Sequence, residues 1–314
     1  MTDGRTGDAR VPVVAVVGPT ASGKSDLSLD LAEALGGEVV NTDSMQLYRG
    51  MDIGTAKLPP AERRGVVHHL LDVLDVTEPA TVAQFQGWAR AAVDDCRARG
   101  VVPVLVGGSA LYTRAVLDRF EFPGTDPAVR RELEEELGRV GAETLHSRLA
   151  QVDPAAAASI EVRNGRRVVR ALEVVAITGR PFTATLPARD YHYADAVQVG
   201  VDIDRPVLDE RIAARVHRMW EQGLVEEVRA LAERGLREGR TASRALGYQQ
   251  VLAHLDGLVT EEQALEATIT GTRRFARRQD AWFRKDDRIA WVRWDDPGRA
   301  TRAVQLVGLS SRGG

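Results

Sequence analysis

The segment VPVVAVVGPTASGKSDLSLDLAEALGG, residues 11–37, most constrains what this chain can fold into. Its first part is apolar and β-branched without interruption, the composition of a parallel strand buried on both faces. Gly18 closes that run, and Gly23, Lys24 and Ser25 then stand at the spacing of a phosphate-binding loop. DLSLDLAEAL continues with helical periodicity until Gly36 and Gly37 stop it. Strand, G-x-x-x-x-G-K-S and helix in that order aim backbone N–H groups and a helix dipole at a di- or triphosphate. Gly18, Pro19, Thr20, Ala21, Ser22, Gly23, Lys24 and Ser25 are the expected phosphate cradle. Lys24 neutralises charge there, and the Ser25 hydroxyl can ligate Mg2+. Residue usage sharpens the point: of 42 cationic side chains, only Lys24, Lys57 and Lys285 are lysine. The chain writes lysine where a phosphate loop needs a compact ammonium on a thin stem.

A second strand, GEVVN, leads into TDSMQLYRGMDIGTAK, with Asp43 just past its carboxyl end. Open α/β sheets gather their chemistry at that edge. A carboxylate there can bind Mg2+, hold a substrate hydroxyl or amine, act as a base, or simply cap the following turn. A third strand, VVPVLVGGS, is preceded by a helix opening on Thr81 and Gln84, a capping box. P-loop enzymes that hydrolyse ATP commonly end such a strand in an aspartate that helps hold Mg2+. Here the strand ends in Gly107, Gly108 and Ser109. This argues against an ATPase and leaves a small-molecule or nucleoside kinase as an alternative.

With 314 residues the chain can form one large domain or two modest ones. Its net charge of −3 gives no global basic signature, so any nucleic-acid surface must be local. A lone cysteine, Cys96, allows no internal disulfide and fits a reducing cytoplasm. The opening MTDGRTGDAR is polar, and no run approaches the ~18 apolar residues of a membrane span, so no membrane is expected. After the third strand the chain becomes helical, charged and alanine-rich; strand composition returns at YADAVQVGVDID and RIAWVRW. The expected class is α/β: a P-loop NTPase-like core with a parallel sheet, interrupted by a mostly helical insertion. Its parts are 1–122, the insertion 123–190, and the returning core 191–314 with C-terminal helices. Residues 295–314 are expected to fray, and a monomer is the default assembly.

Two arginine patterns carry the local basic signal. On a helix, Arg163, Arg166, Arg167 and Arg170 form one stripe at i, i+3, i+4, i+7, while Val168, Val169, Leu172 and Val175 can pack inward. TRRFARRQDAWFRKDDR interleaves arginines with Phe275, Trp282 and Phe283, planes suited to unstacked RNA bases, with Gln279 available for an edge contact. In an Arg-rich chain such a stripe is also the ordinary make-up of a solvated helix face. His68 and His69, adjacent on a strand, point to opposite faces and lack partners at zinc spacing, so their expected role is structural.

GPTASGKS, DSMQLYRGMDIGTAK, HHLLDV, GGSALY, RRVVRALEVVAITGRP, RALGYQQ and TRRFARRQDAWFR, in order from residue 18 to residue 284, resemble the tRNA dimethylallyltransferase (tRNA isopentenyltransferase) family. The resemblance implies transfer of a dimethylallyl group from dimethylallyl diphosphate to N6 of an adenosine. That adenosine lies immediately 3′ of the anticodon in tRNAs reading codons that begin with U. The phosphate loop would then hold a diphosphate leaving group, with Mg2+, rather than ATP. By the same resemblance Asp43 is the general base, Lys24 and Arg215 face the diphosphate, and Ser109 lies near its bridging oxygen, where the family usually has threonine. Contacts to the anticodon stem-loop are implied for Asp43, Ser44, Met45, Gln46, Ser109, Arg130, Arg166, Arg167, Arg170, Arg244, Gly247, Tyr248, Arg277, Arg278, Gln279, Trp282 and Arg284. The target base must leave its stack to reach such a pocket, and the insertion would reach along the stem. Ser159 to Gly165 departs from the family's usual basic and polar residues, and Ala281 stands where threonine is common. An adenylate isopentenyltransferase would use free AMP; the helical insertion and the Arg-rich segment favour a large RNA.

Overall fold

The computed structural model describes residues 11–120, 122–182 and 189–310. Its strands are β1 (Val13–Val17), β2 (Gly37–Asn41), β3 (His68–His69), β4 (Val102–Val106), β5 (Ala196–Asp202) and β6 (Ile289–Arg293). They form a six-stranded sheet of order β3-β2-β4-β1-β5-β6, parallel throughout. Every residue of β1 is buried, as an uninterrupted β-branched run requires when helices cover a parallel sheet. From β1 the chain first builds toward β3, then returns to add β5 and β6 on the other side. The reversal puts a crevice at the carboxyl end of β1, where the phosphate loop begins.

The helices are α1 (Lys24–Leu35), α2 (Val82–Ala98), α3 (Ala110–Leu117), α4 (Pro127–Val140), α5 (Ala142–Val152), α6 (Pro154–Ser159), α7 (Gly165–Thr178), α8 (Arg205–Glu221), α9 (Leu224–Glu233), α10 (Tyr248–Leu255), α11 (Glu261–Phe283) and α12 (Arg299–Ser310). Leu27 and Leu31 of α1 pack with Val14, Val16, Val39, Val104 and Val199, alternate residues of their strands. Ala303 and Val307 of α12 complete the same core. The expected fraying of the C-terminal segment is thus corrected for residues 299–310; residues 311–314 lie outside the described part. Ala303 and Val307 repeat at i, i+4, enough to seat one helical stripe. Among the described residues no helix is long and apolar enough to cross a membrane.

Residue packing divides the chain into two compact units, one within Met1–Leu117 and Tyr193–Gly314, the other within Asp118–His192. The first holds the sheet. The second holds α4 to α7 around Leu133, Leu145, Leu149, Ile160, Val168 and Leu172. Its helix starts are written locally. Asp126 accepts from Ala128 N and Val129 N ahead of Pro127, and Asp153 accepts from Ala156 N ahead of Pro154. Asn164 accepts from Arg167 N to start α7. Such caps contribute about 1 kcal/mol each, and proline at the first helical position fits because its missing N–H has no partner to lose.

Candidate active site

The loop between β1 and α1 is held in unusual backbone geometry. Gly23 precedes α1 at φ 96°, a left-handed conformation that suits glycine. Ala21 takes φ 63° with a side chain, a strain of about 1–2 kcal/mol. Ser22 is buried, and its hydroxyl oxygen has no hydrogen-bond partner among the described residues. Lys24 Nζ donates to the Pro19 carbonyl at 2.7 Å. Burial, followed by the charge of Arg215, lowers the Lys24 pKa to about 7 against the opposing pull of Asp43. A cramped ammonium, an orphaned hydroxyl and a strained loop fit an anion cradle.

Arginines crowd this cradle. Arg211, Arg215 and Arg218, one turn apart on α8, line a cavity of about 210 Å3 with Ala21 and Ala214. None has an ion pair among the described residues; Arg211 stacks over Trp294, 4.9 Å from the ring centroid. Burial and then mutual repulsion push Arg211 and Arg215 below the usual arginine range, with Asp26 the acid that opposes it. Unbalanced positive charge of this kind calls for an anionic ligand.

A larger cavity of about 440 Å3 adjoins the first at Ala21 and Arg215. Asp43, Ser44, Met45, Ser109, Arg215, Arg244, Gly247 and Arg278 all line it, so the fold gathers these widely separated expected residues. Ile212, Val216, Met219 and Phe275 give it an apolar wall. Asp43 is positioned by Asn41, the last residue of β2. Asp43 N donates to Asn41 Oδ1 at 2.8 Å, and Asn41 Nδ2 donates to Asp43 O at 3.0 Å. Met45 N donates to the Asp43 carboxylate at 2.9 Å. Burial raises the Asp43 pKa, while that bond, the Lys24 charge and the Gln46 N–H pull the other way. A carboxylate with a raised pKa is a better proton acceptor.

The structure gives other expected residues internal work. Gln279 is 6% exposed; its Oε1 accepts from Thr20 N at 2.8 Å and its Nε2 donates to Gly108 O at 2.9 Å. Its amide is therefore engaged inside the protein rather than available for a base edge. Tyr248 is fully buried and donates to Glu227 at 2.6 Å. Gln46 donates to Thr55 O. Arg284 pairs with Asp202 and Asp280 and stacks over Trp291. Arg277, Arg278 and Trp282 are exposed on α11, and Ser25 is exposed in the first turn of α1. In the second unit, Arg130 and Arg170 both pair with the buried Glu173, while Arg166 and Arg167 are exposed.

Residues that sequence reasoning passed over hold this site together. Asn41 carried a faint signal, a polar residue ending an apolar strand. Lys57 Nζ, buried, donates to Tyr48 O, Asp52 and Asp72 and so ties down the long β2–β3 connection. Glu227 accepts the N–H groups of Asp52, Ile53 and Gly54. No local pattern marks either role. Glu38, His69 and Cys96 come within 4.8 Å of one another, a grouping with metal-ligand chemistry that sequence spacing does not reveal. The Glu38 carboxylate is already saturated: Arg99 donates to both oxygens, His69 Nε2 lies at 2.7 Å and Cys96 Sγ donates at 3.4 Å. With the Arg99 bonds foremost, its pKa falls to about 2, while burial pushes the Cys96 thiol up to about 12. The cluster is a satisfied hydrogen-bond hub.

The IPP transferase family model matches residues 46–286. A tRNA dimethylallyltransferase from Nocardioides sp. is 65% identical over 97% of this chain and 98% of the relative. One from Streptomyces avermitilis is 65% identical over 89% of each. Among solved structures, the tRNA isopentenylpyrophosphate transferase of Bacillus halodurans has TM-score 0.71 at 38% identity, covering 96% of this chain and 98% of that one. A eukaryotic dimethylallyltransferase solved acting on tRNA has TM-score 0.82 at 26% identity, covering 93% of this chain and 77% of that one. The similarity spans sheet, cavity and helical unit alike, and the chain belongs to the IPP transferase family.

Proposed function

We propose that this protein is a tRNA dimethylallyltransferase acting on N6 of the adenosine immediately 3′ of the anticodon, in tRNAs reading codons that begin with U. The observation that carries the reading is one apolar-walled cavity joining Asp43, Ser109 and Arg215 beside the arginine-ringed phosphate loop. The apolar wall suits the prenyl chain of dimethylallyl diphosphate, and the loop suits its diphosphate. As the allylic C–O bond breaks, charge grows on the leaving diphosphate, where Lys24, loop N–H groups and Arg215 stabilise it. Adenine N6 attacks the freed allylic carbon, and an N6 proton passes to the Asp43 carboxylate. Ser109 offers its hydroxyl to the diphosphate. The Ser25 hydroxyl makes no hydrogen bond among the described residues and fits a Mg2+ held chiefly by phosphate oxygens and water. Bound Mg2+ would neutralise part of the leaving group's charge.

Exposed Arg166, Arg167, Arg244, Arg277, Arg278 and Trp282 suit an anticodon stem-loop through phosphate pairing and base stacking. The assembly proposed is a monomer, and the free Cys96 suits a reducing cytoplasm. A kinase on the same loop finds no support among the relatives. The test is a donor-and-acceptor cross with Mg2+: dimethylallyl diphosphate or ATP against unmodified tRNA or AMP. Mass gain of one five-carbon group on tRNA, with the prenyl donor alone, is the expected result. ATP consumption without prenyl transfer would overturn the reading, and transfer to AMP but not tRNA would replace the acceptor.

A further inference from the structure

One side-chain amide joins two peptide planes that flank the expected diphosphate ligands. Gln279 lies on α11, whose Thr272, Phe275 and Arg278 wall the larger cavity. Its Oε1 accepts from Thr20 N. That N–H belongs to the same peptide unit as the Pro19 carbonyl on which Lys24 Nζ rests at 2.7 Å. Because a peptide unit is planar, holding its N–H also holds the carbonyl at its opposite edge. The Gln279 amide therefore fixes where the Lys24 ammonium parks. On its other side, Nε2 donates to Gly108 O, and that carbonyl shares a peptide plane with Ser109 N. Gly108 leaves no slack: a Cβ there would lie 2.2 Å from Gln279 Nε2.

The geometry points to Gln279 as a positioning residue that sets the phosphate loop and the Ser109 turn in register for the diphosphate. The inference rests on the proposed reading that Lys24 and Ser109 share that ligand. The chemistry asks for an amide specifically. Thr20 N needs an acceptor and Gly108 O needs a donor, which carboxylate, ammonium and hydrocarbon each fail to supply together. A glutamate would keep the first bond and set oxygen against oxygen at the second. The bridge spans sequence separations of 259 and 171 residues, so it ties both loops to α11, beyond the β1–β4 pairing that aligns Val16 with Val106.

Two substitutions break the bridge from opposite ends. Gln279→Leu removes donor and acceptor at nearly constant volume, and Gly108→Ala displaces the flexible end of the glutamine while leaving it in place. Each should lower kcat/KM for dimethylallyl diphosphate by about 10- to 100-fold. Affinity for an unmodified anticodon stem-loop, measured without donor, should stay within about twofold. The double variant should be no worse than the poorer single one, because both remove the same coupling. Gln279→Glu should fail as Gln279→Leu does. Weakened stem-loop binding with normal donor kinetics would make Gln279 an RNA contact and overturn the proposal. Additive losses in the double variant would overturn it too, as would a lowered Tm with unchanged kinetics at 25 °C. Should the unaltered protein move no prenyl group, the proposed function fails on its own; affinity for inorganic diphosphate then decides the positioning role, since both variants should weaken it alike.

Discussion

The two units use the same side chain in opposite ways. Beside the phosphate loop, Arg211, Arg215 and Arg218 crowd one another without an ion pair among the described residues, the charge of Asp26 only partly offsetting their repulsion. In the helical unit, Arg130 and Arg170 converge on Glu173, whose side chain is fully buried. Burial alone would push the Glu173 carboxyl up, but hydrogen bonds and charges from the two arginines hold it below its usual range. Arg170 also donates to the carbonyls of Pro123 and Gly124. The first group holds charge that no ion pair cancels among the described residues, and the second fastens helices α4 and α7 together. The first three repeat along α8 alone, whereas Arg130 comes from α4 and Arg170 from α7. What separates the two groups is a buried acid within reach of the guanidinium groups, present at Glu173 and not found beside α8 among the described residues.

Substitutions can break this contrast, and the largest effect falls on the chemistry in the first unit. Asp43→Ala should lower turnover on bound substrates by about 10²–10⁴-fold. Stem-loop affinity, read by titration, should persist; its loss with normal turnover would make Asp43 a binding residue. Arg215→Ala should cost about 10²–10³ in kcat for the prenyl donor, the scale of losing one preorganised charge-stabilising donor. An Arg130→Ala variant should leave donor kinetics unchanged, which assays with saturating tRNA would reveal.

Glu173→Ala should destabilise the helical unit by ~3 kcal/mol, because two half-buried guanidinium groups lose their anion. Limited proteolysis and a thermal scan report this; an unchanged Tm would show that solvent already carries the pair. The pH dependence sharpens the other side. Diphosphate favours the Lys24 ammonium, whose pKa in the free protein is about 7. Donor affinity should be full below that value and fall by up to about tenfold per pH unit above it, until the pKa of the bound state is reached. Asp43, its pKa raised by burial, must be ionised to act, so turnover should fall on the acid side. Titration calorimetry and a pH–rate profile separate the two limbs. The smallest effects are expected on the exposed stripe. Arg166→Ala or Arg167→Ala should weaken tRNA binding only a few-fold and lower the salt slope by about one.

Much of this was legible in the sequence where adjacent residues act together. The strand, loop and helix over residues 13–35, Asp43 past β2 and Ser109 past β4 are local patterns, and the sheet edge collects them. Gln279 was visible as a polar residue on a basic helix, but the 3.6-residue period leaves open which turn faces inward until α11 is docked. Arg170 belonged to the expected stripe, yet its pairing with Glu173 one turn away is invisible without knowing that Glu173 is buried. Glu227 and Lys57 bind backbone groups, for which sequence has no code. The docking of α12 was missed because its apolar stripe, Ala300, Ala303, Val304 and Val307, lies between a polar DDPGR and a glycine- and serine-rich end, a setting that resembles fraying.

The scarcity of lysine also bears on covalent labelling. Lys57 is enclosed by Tyr48 O, Asp52 and Asp72, and Lys285 is exposed on the surface. Lys24 alone combines a half-buried setting with an amine that is about half uncharged near neutrality. An uncharged amine is the nucleophilic form. An acylating reagent near neutral pH should therefore mark Lys24 as well as the exposed Lys285, and a bound diphosphate should protect Lys24 alone by restoring its ammonium.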